Sequence, residues 1–138
     1  MSEKFLNIEL ATPSKKESVG QAVSCSAPGV VGRFQILPGH IDFISELGTG
    51  EVKVEFTDGT RFFATSGGFL EVVNNQVLLL LEAAEAAENI DIERAAKAKE
   101  RAERRLKERT PDVNVVRAEA ALSRAVTRIS IAEKSSTR

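Results

Sequence analysis

The sequence predicts two parts of different kinds. Residues 1–87 read as an antiparallel β-sandwich or flattened barrel, and residues 88–138 as an antiparallel two-helix hairpin. Three observations predict this. All nine Gly and all seven Phe fall by residue 69, so turn-forming and aromatic residues belong to the first part alone. Short segments of period two, separated by Pro-Gly, Asp-Gly and Asn-Asn, fill that part. Beyond residue 87 apolar residues recur at alternating spacings of three and four, the seam of a packed helix.

The elements follow in order. In Phe5–Leu10 the residues Leu6, Ile8 and Leu10 share one face of a half-buried strand, and Pro13 ends it. Ser18–Ala27 alternates weakly around Val19 and Val23. Pro28-Gly29 and Pro38-Gly39 bracket a short segment holding Phe34, Ile36 and Leu37, and Ile41–Leu47 follows. Glu51–Phe56 alternates cleanly, with Val52, Val54 and Phe56 on one face. Asp58-Gly59 reads as a tight turn into Arg61–Thr65. Phe69–Val73, Asn74-Asn75 and Gln76–Leu81 make a second hairpin. Asn89 or Asp91 can cap the first helix, which runs to about Arg109. Thr110-Pro111-Asp112 breaks it, with Pro111 suited to the first position of a second helix from about Asp112 to Glu133. Its seam is Val115, Ala118, Leu122, Ala125, Ile129 and Ala132, facing Ala95, Ala98, Ala102 and Leu106. So alanine-rich a seam buries little area, and the hairpin is expected to dock reversibly.

Composition excludes several functions. The 138 residues are 42% hydrophobic and 28% charged, a folded composition. The longest apolar run, Val77–Leu81, falls far short of the ~20 residues of a membrane helix. Met1-Ser2-Glu3-Lys4 lacks the basic and apolar regions of a secretory signal, so none is expected. Cys25 is the only cysteine, which excludes an internal disulfide and a cysteine zinc site. One His, no Trp and no Tyr exclude a multi-histidine metal site and a Trp/Tyr base-stacking surface. The first part carries six basic and eleven acidic side chains, a net of −5; the second carries thirteen and nine, a net of +4.

Catalytic chemistry is not indicated. A triad would need His40, which sits in the turn Leu37-Pro38-Gly39-His40 and reads as a loop or interface residue. No nucleophile elbow or glycine-rich phosphate loop accompanies it. Glutamates interleave the basic residues from Lys97 to Arg109, which argues against nucleic acid and for an acidic protein partner. One constellation is sharper. Asp91, Arg94 and Arg101 lie near one helix face, and an antiparallel fold brings Arg124 and Arg128 beside them. That spacing fits an interhelical salt-bridge network, which it favours, or a triphosphate clamp with Asp91 accepting from an adenine amino group.

These residues resemble a known family over nearly the whole chain. Leu37-Pro38-Gly39-His40, Ser66-Gly67-Gly68-Phe69-Leu70-Glu71-Val72 and Ile90-Asp91-Ile92-Glu93-Arg94-Ala95 occur in the order and spacing of the epsilon subunit of F-type ATP synthase, bacterial or chloroplast type. The resemblance implies a sandwich of roughly ten strands. It implies a non-catalytic rotor subunit of the central stalk, coupling ion translocation to ATP synthesis. The mobile hairpin would inhibit ATP hydrolysis when extended against the catalytic alpha and beta subunits. The implied partners are the gamma subunit and the c-ring, met through Gly29, Arg33, Phe34, Pro38, Gly39 and His40. The implied place is peripheral, on the cytoplasmic face of a bacterial plasma membrane or the stromal face of a thylakoid. No catalytic cofactor and no metal is implied, and ATP enters as a regulatory ligand. Its site would comprise Glu85, Ile90, Asp91, Arg94, Ala95, Arg101, Arg124 and Arg128, and with the resemblance added this clamp is favoured over the salt-bridge network. The chain departs from the family where Glu-Phe-Gly is usual: it reads Arg33-Phe34-Gln35, reversing a charge, and Ile41-Asp42 follows His40 in place of Ala and Pro. Two rival readings are a free-standing ATP-sensing module, which should lack an exposed apolar patch, and a nucleic-acid adaptor with strongly salt-dependent binding.

Overall fold

A computed structural model describes residues 4–108 and 113–136. The chain divides into two compact units, Met1–Ala86 and Ala87–Arg138.

The first unit is one continuous sheet of ten strands: β1 Leu6–Ala11, β2 Lys16–Ala22, β3 Ser24–Gly29, β4 Gly32–Ile36, β5 Phe43–Leu47, β6 Gly50–Phe56, β7 Gly59–Thr65, β8 Gly68–Val73, β9 Gln76–Leu81 and β10 Ala84–Ala86. The spatial order is β10-β7-β6-β3-β5-β8-β9-β1-β2, with β4 also on β3. Pairing is antiparallel except between β1 and β9, which run parallel. The sheet folds over on itself, so strands far apart in that order share one core. Leu6, Ile8 and Leu10 of β1 pack with Val52 and Val54 of β6, Leu70 and Val72 of β8, and Val77 and Leu79 of β9. These are the even-period faces that the alternation selects.

Local chemistry sets the corners. Asn74 and Asn75 adopt positive φ, 48° and 62°, the type I′ geometry that the strand twist demands of a two-residue hairpin loop. At Gly68 (φ +143°) a side chain would collide with the backbone of Leu80 and Leu81, so only glycine fits. The neighbouring Gly67 donates its N–H to Thr65 Oγ1 at 3.2 Å. The two-residue β6–β7 loop is Thr57-Asp58 rather than Asp58-Gly59, because Phe56 pairs with Gly59 and that glycine already belongs to β7. The weakly alternating stretch is two strands, interrupted at Val23, whose N–H turns to Glu55 O at 2.7 Å.

The second unit begins with a 3₁₀ turn, Ala87–Asn89, and continues in α1 (Ile92–Glu108) and α2 (Val115–Ser136). Asp91, not Asn89, caps α1: its Oδ1 accepts from Arg94 N at 3.1 Å. Asn114 caps α2 in the same way, accepting from Arg117 N at 3.0 Å, so α2 starts at Val115 and not at Asp112. Arg109, Thr110, Pro111 and Asp112 lie outside the described residues. The helices pack side by side through buried Ala95 and Ala102 on α1 and Ala118, Ala125 and Ala132 on α2. The end of α1 and the start of α2 line a common cleft, so the pair is antiparallel. Leu122 and Ile129 of the expected seam are half-buried, and Val115 is exposed. Ile131, off the seam, is fully buried; the 3₁₀ turn also packs on α2, so this helix has a second neighbour.

Candidate functional site: an apolar sheet face, a latched loop and an arginine flank

The β3–β4 segment from Gly29 to Phe34 is a hairpin, not an open loop. Gly29 pairs with Gly32 across the turn Val30-Val31, and Val31 is 97% exposed at its tip. A side chain at Gly29 would meet Gly32 O at 2.6 Å and the Phe34 ring at 3.0 Å, so the hairpin closes only around glycine. Arg33 and Gln35, the two departures within β4, both turn onto the chain itself. Arg33 Nη1 donates to Glu51 O at 2.6 Å and Nη2 lies 3.4 Å from Glu51 Oε1. Gln35 Nε2 donates to the buried Ser24 hydroxyl at 2.9 Å. Phe34 packs edge-on against Phe43, with ring centres 5.3 Å apart.

Pro38, Gly39 and His40 sit at the other end of β4, in the connection to β5. Gly29 and Arg33 are therefore one strand length away, about 15 Å at ~3.3 Å per residue. Two hydrogen bonds tie this connection to the β8–β9 hairpin: Gly39 N donates to Asn75 Oδ1 at 2.8 Å, and Asn74 N donates to Asp42 Oδ1 at 3.3 Å. His40 Nδ1 lies 2.7 Å from Ile41 O, and its ring packs edge-on against Phe43 at 5.6 Å. The histidine is a structural member of the turn.

The outer face of β5, β8 and β9 carries a feature the strand alternation did not single out. Phe69 pairs with Leu80, and Ile44 lies diagonally beside Phe69. Ile44 is 64% exposed, Phe69 46% and Leu80 47%. Exposed Glu46 and Glu71 alternate with them across the same pairs. Clustered exposed apolar side chains with acidic neighbours have the composition of an interaction surface.

In the helical unit, Asp91 is the α1 cap, and Ile90 and Ala95 are buried. Arg94, Arg101 and Arg124 are exposed, Arg128 is half-buried, and Glu85 stands on β10 of the sheet unit opposite Ala64. Among the described residues Arg94, Arg101 and Arg124 form no ion pair, so these three take no part in the interhelical salt-bridge network that spacing favoured. Arg94 and Arg101 each immediately precede a buried seam alanine, and so does Arg124 on α2. At 3.6 residues per turn each stands about 100° round from that seam. Equal offsets in an antiparallel pair fall on one side of it, so all three share a flank.

Comparisons with known proteins agree in outline. The family model described as "ATP synthase, Delta/Epsilon chain, beta-sandwich domain" matches residues 5–87. The model described as "ATP synthase, Delta/Epsilon chain, long alpha-helix domain" matches residues 88–133. The ATP synthase epsilon chain of Nitratidesulfovibrio vulgaris (strain DP4) is 45% identical over 129 residues, covering 94% of this chain and 96% of that one. That of Syntrophobacter fumaroxidans is 45% identical over 134 residues, covering 97% and 99%. A chain in the Euglena gracilis mitochondrial ATP synthase structure shares the fold at a TM-score of 0.80 and 22% identity, covering all of this chain and 84% of its own length. Two domain models in tandem and near-full-length identity of this order place the chain in the family of ATP synthase epsilon chains.

Proposed function

We propose that the chain is a non-catalytic rotor subunit of the ATP synthase central stalk. It couples ion translocation to ATP synthesis and restrains ATP hydrolysis through its helical hairpin. The observation that carries this reading is the exposed Ile44, Phe69 and Leu80 face. A free-standing nucleotide sensor has no use for such a face, whereas a stalk subunit needs one for the gamma subunit. Glu46 and Glu71 call for basic residues at the rim of the partner surface. The exposed Val30-Val31 tip and the latched Pro38-Gly39-His40 turn, at opposite ends of β4, suit contacts with two partners, the c-ring and gamma.

ATP is the proposed regulatory ligand of the hairpin. Arg94, Arg101, Arg124 and Arg128 would hold its phosphates, with Asp91 near the base and Ile90 and Ala95 as packing residues. The support is the family motif together with the placement of these arginines on one flank, where Arg94, Arg101 and Arg124 form no ion pair among the described residues. Among the described residues no helix is long and apolar enough to cross a membrane, in keeping with a peripheral subunit. The bacterial relatives favour the cytoplasmic face of a plasma membrane.

The test is ATP hydrolysis by the assembled synthase with and without residues 88–138 of this chain. Faster hydrolysis with assembly intact supports the reading. Unchanged hydrolysis in an intact assembly would remove the hairpin from regulation.

A further inference from the structure

The arginines of the hairpin extend beyond the clamp just described. Arg94-Ala95 and Arg101-Ala102 on α1 are spaced by seven residues, and so are Arg117-Ala118 and Arg124-Ala125 on α2. In all four the alanine is buried and the arginine exposed. Exposed Arg105 and half-buried Arg128 fall on the same flank, about 80° from the seam. The acids go the other way: Glu103, Glu119 and Glu133 each follow a buried alanine and stand on the opposite flank, with Glu93 and Glu100 near them. The glutamates that interleave the basic residues in sequence are thus separated from the arginines in space. Among the described residues Glu108 and the cap Asp91 stand on the ladder's side: Glu108 lines the cleft at the bend with Arg105 and Arg117, and Asp91 lies at the far end beside Arg94.

That cleft sets the register. Arg105 stands level with Arg117, and moving eleven residues away from the bend on each helix brings Arg94 level with Arg128. Arg101 and Arg124 lie between. The result is a ladder of three arginine pairs along about 17 Å at ~1.5 Å per residue. On the nucleotide reading above, a nucleoside triphosphate would engage the two pairs farther from the bend. Arg105 and Arg117 remain, and among the described residues neither has an ion-pair partner.

We propose that this flank binds linear phosphate chains longer than a triphosphate, of the inorganic polyphosphate class, with Arg105 and Arg117 taking the phosphates beyond the third. The proposal rests on the nucleotide reading and extends the same site toward the bend. Guanidinium groups suit it because each offers paired donors to phosphate oxygens, and Lys99 and Lys107 lie off this flank.

The experiment is calorimetric titration of the full chain with ATP, with inorganic triphosphate and with linear polyphosphates of increasing length. A single-stranded oligonucleotide serves as a second polyanion. The full-length chain should bind long polyphosphate at least tenfold more tightly than triphosphate. R105Q/R117Q should abolish that gain and lower the slope of log affinity against log salt by about 1.4, two phosphate contacts at ~0.7 each. The equally charge-depleted K99Q/K107Q should keep the gain. The proposal is overturned by affinity that does not rise beyond triphosphate, by an equal loss in the lysine variant, or by oligonucleotide binding as tight as polyphosphate. Failure of ATP itself to bind, with chain-length dependence retained, would instead overturn the nucleotide reading.

Discussion

Asn75 joins three segments of the strand unit, and its replacement gives a graded prediction. Its side chain accepts from Gly39 N at 2.8 Å, its carbonyl accepts from Asn7 N at 2.9 Å, and its backbone holds φ at 62°. The carbonyl bond survives any substitution. Asn75→Gly keeps the turn and loses the side-chain acceptor, at a cost of about 1 kcal/mol for one hydrogen bond. Asn75→Ala loses the acceptor and also forces a Cβ into the left-handed region, for a total of about 2 kcal/mol. Asn75→Asp keeps an acceptor oxygen and should stay within about 0.5 kcal/mol of the parent. With a urea m-value of about 2 kcal/mol/M, the midpoint should fall by roughly 0.5 M in the glycine variant and 1 M in the alanine variant. Amide exchange adds the local test. Gly39 N–H should lose protection in the glycine and alanine variants and retain it in aspartate. Unchanged Gly39 protection in Asn75→Gly, or equal midpoints for glycine and alanine, would refute the reasoning.

Three further outcomes are expected. Burial pushes the Cys25 thiol up from 9.0 to about 12, with Arg33 pulling the other way. The folded state then holds a proton that the unfolded state releases, so stability falls as pH rises from about 9 toward 12, by at most ~1.4 kcal/mol per unit. Denaturation of the parent and Cys25→Ala across that range measures it: the stability difference should change with pH, and a constant difference contradicts it. Asp91→Ala removes the α1 cap and should cost about 1 kcal/mol of hairpin stability, read as lower helical ellipticity on heating. Full ellipticity through the same transition would show that the cap contributes nothing. Arg124→Ala should weaken ATP binding tenfold or more while leaving ellipticity unchanged, since its side chain is exposed. Equal ATP affinity in that variant would remove Arg124 from the phosphate site.

Much of the fold was legible because the signals were local. The alternation of Glu51–Phe56 and the Asn74-Asn75 turn each specify their element within a few residues. β10 escaped notice because Ala84-Glu85-Ala86 has little strand propensity and is held by pairing with β7, a contact distant in sequence. The helix starts depended on caps, and Asn114 competed in the sequence with a proline that suits the same role. Ile131 was missed because a heptad seam describes one neighbour and α2 has two. The site was legible as motifs rather than as geometry. Ile90, Asp91, Arg94 and Ala95 could be named from the family motif, and Asp91 was one of two candidate caps, the choice between it and Asn89 resting on where the helix begins. Arg33 and Gln35 stood out as departures, yet their bonds to Glu51 and Ser24 depend on strand pairing that no local pattern records. Arg94, Arg101, Arg124 and Arg128 were legible as one flank from helical spacing, whereas Arg105 and Arg117 were not, because the basic residues from Lys97 to Arg109 were read along the chain and the register at the bend needs the fold.

The central claim is that the β5–β8–β9 outer face seats this subunit on the gamma subunit of the stalk. The direct measurement is the affinity of the full chain for isolated gamma, compared with Phe69→Glu/Leu80→Glu. Both substituted side chains face outward, so thermal unfolding checks that the sheet is retained. Tight association of the parent, with a loss of a hundredfold or more in the folded double variant, is the predicted result. Equal affinity of parent and variant for gamma, or no association of the parent at all, would contradict it.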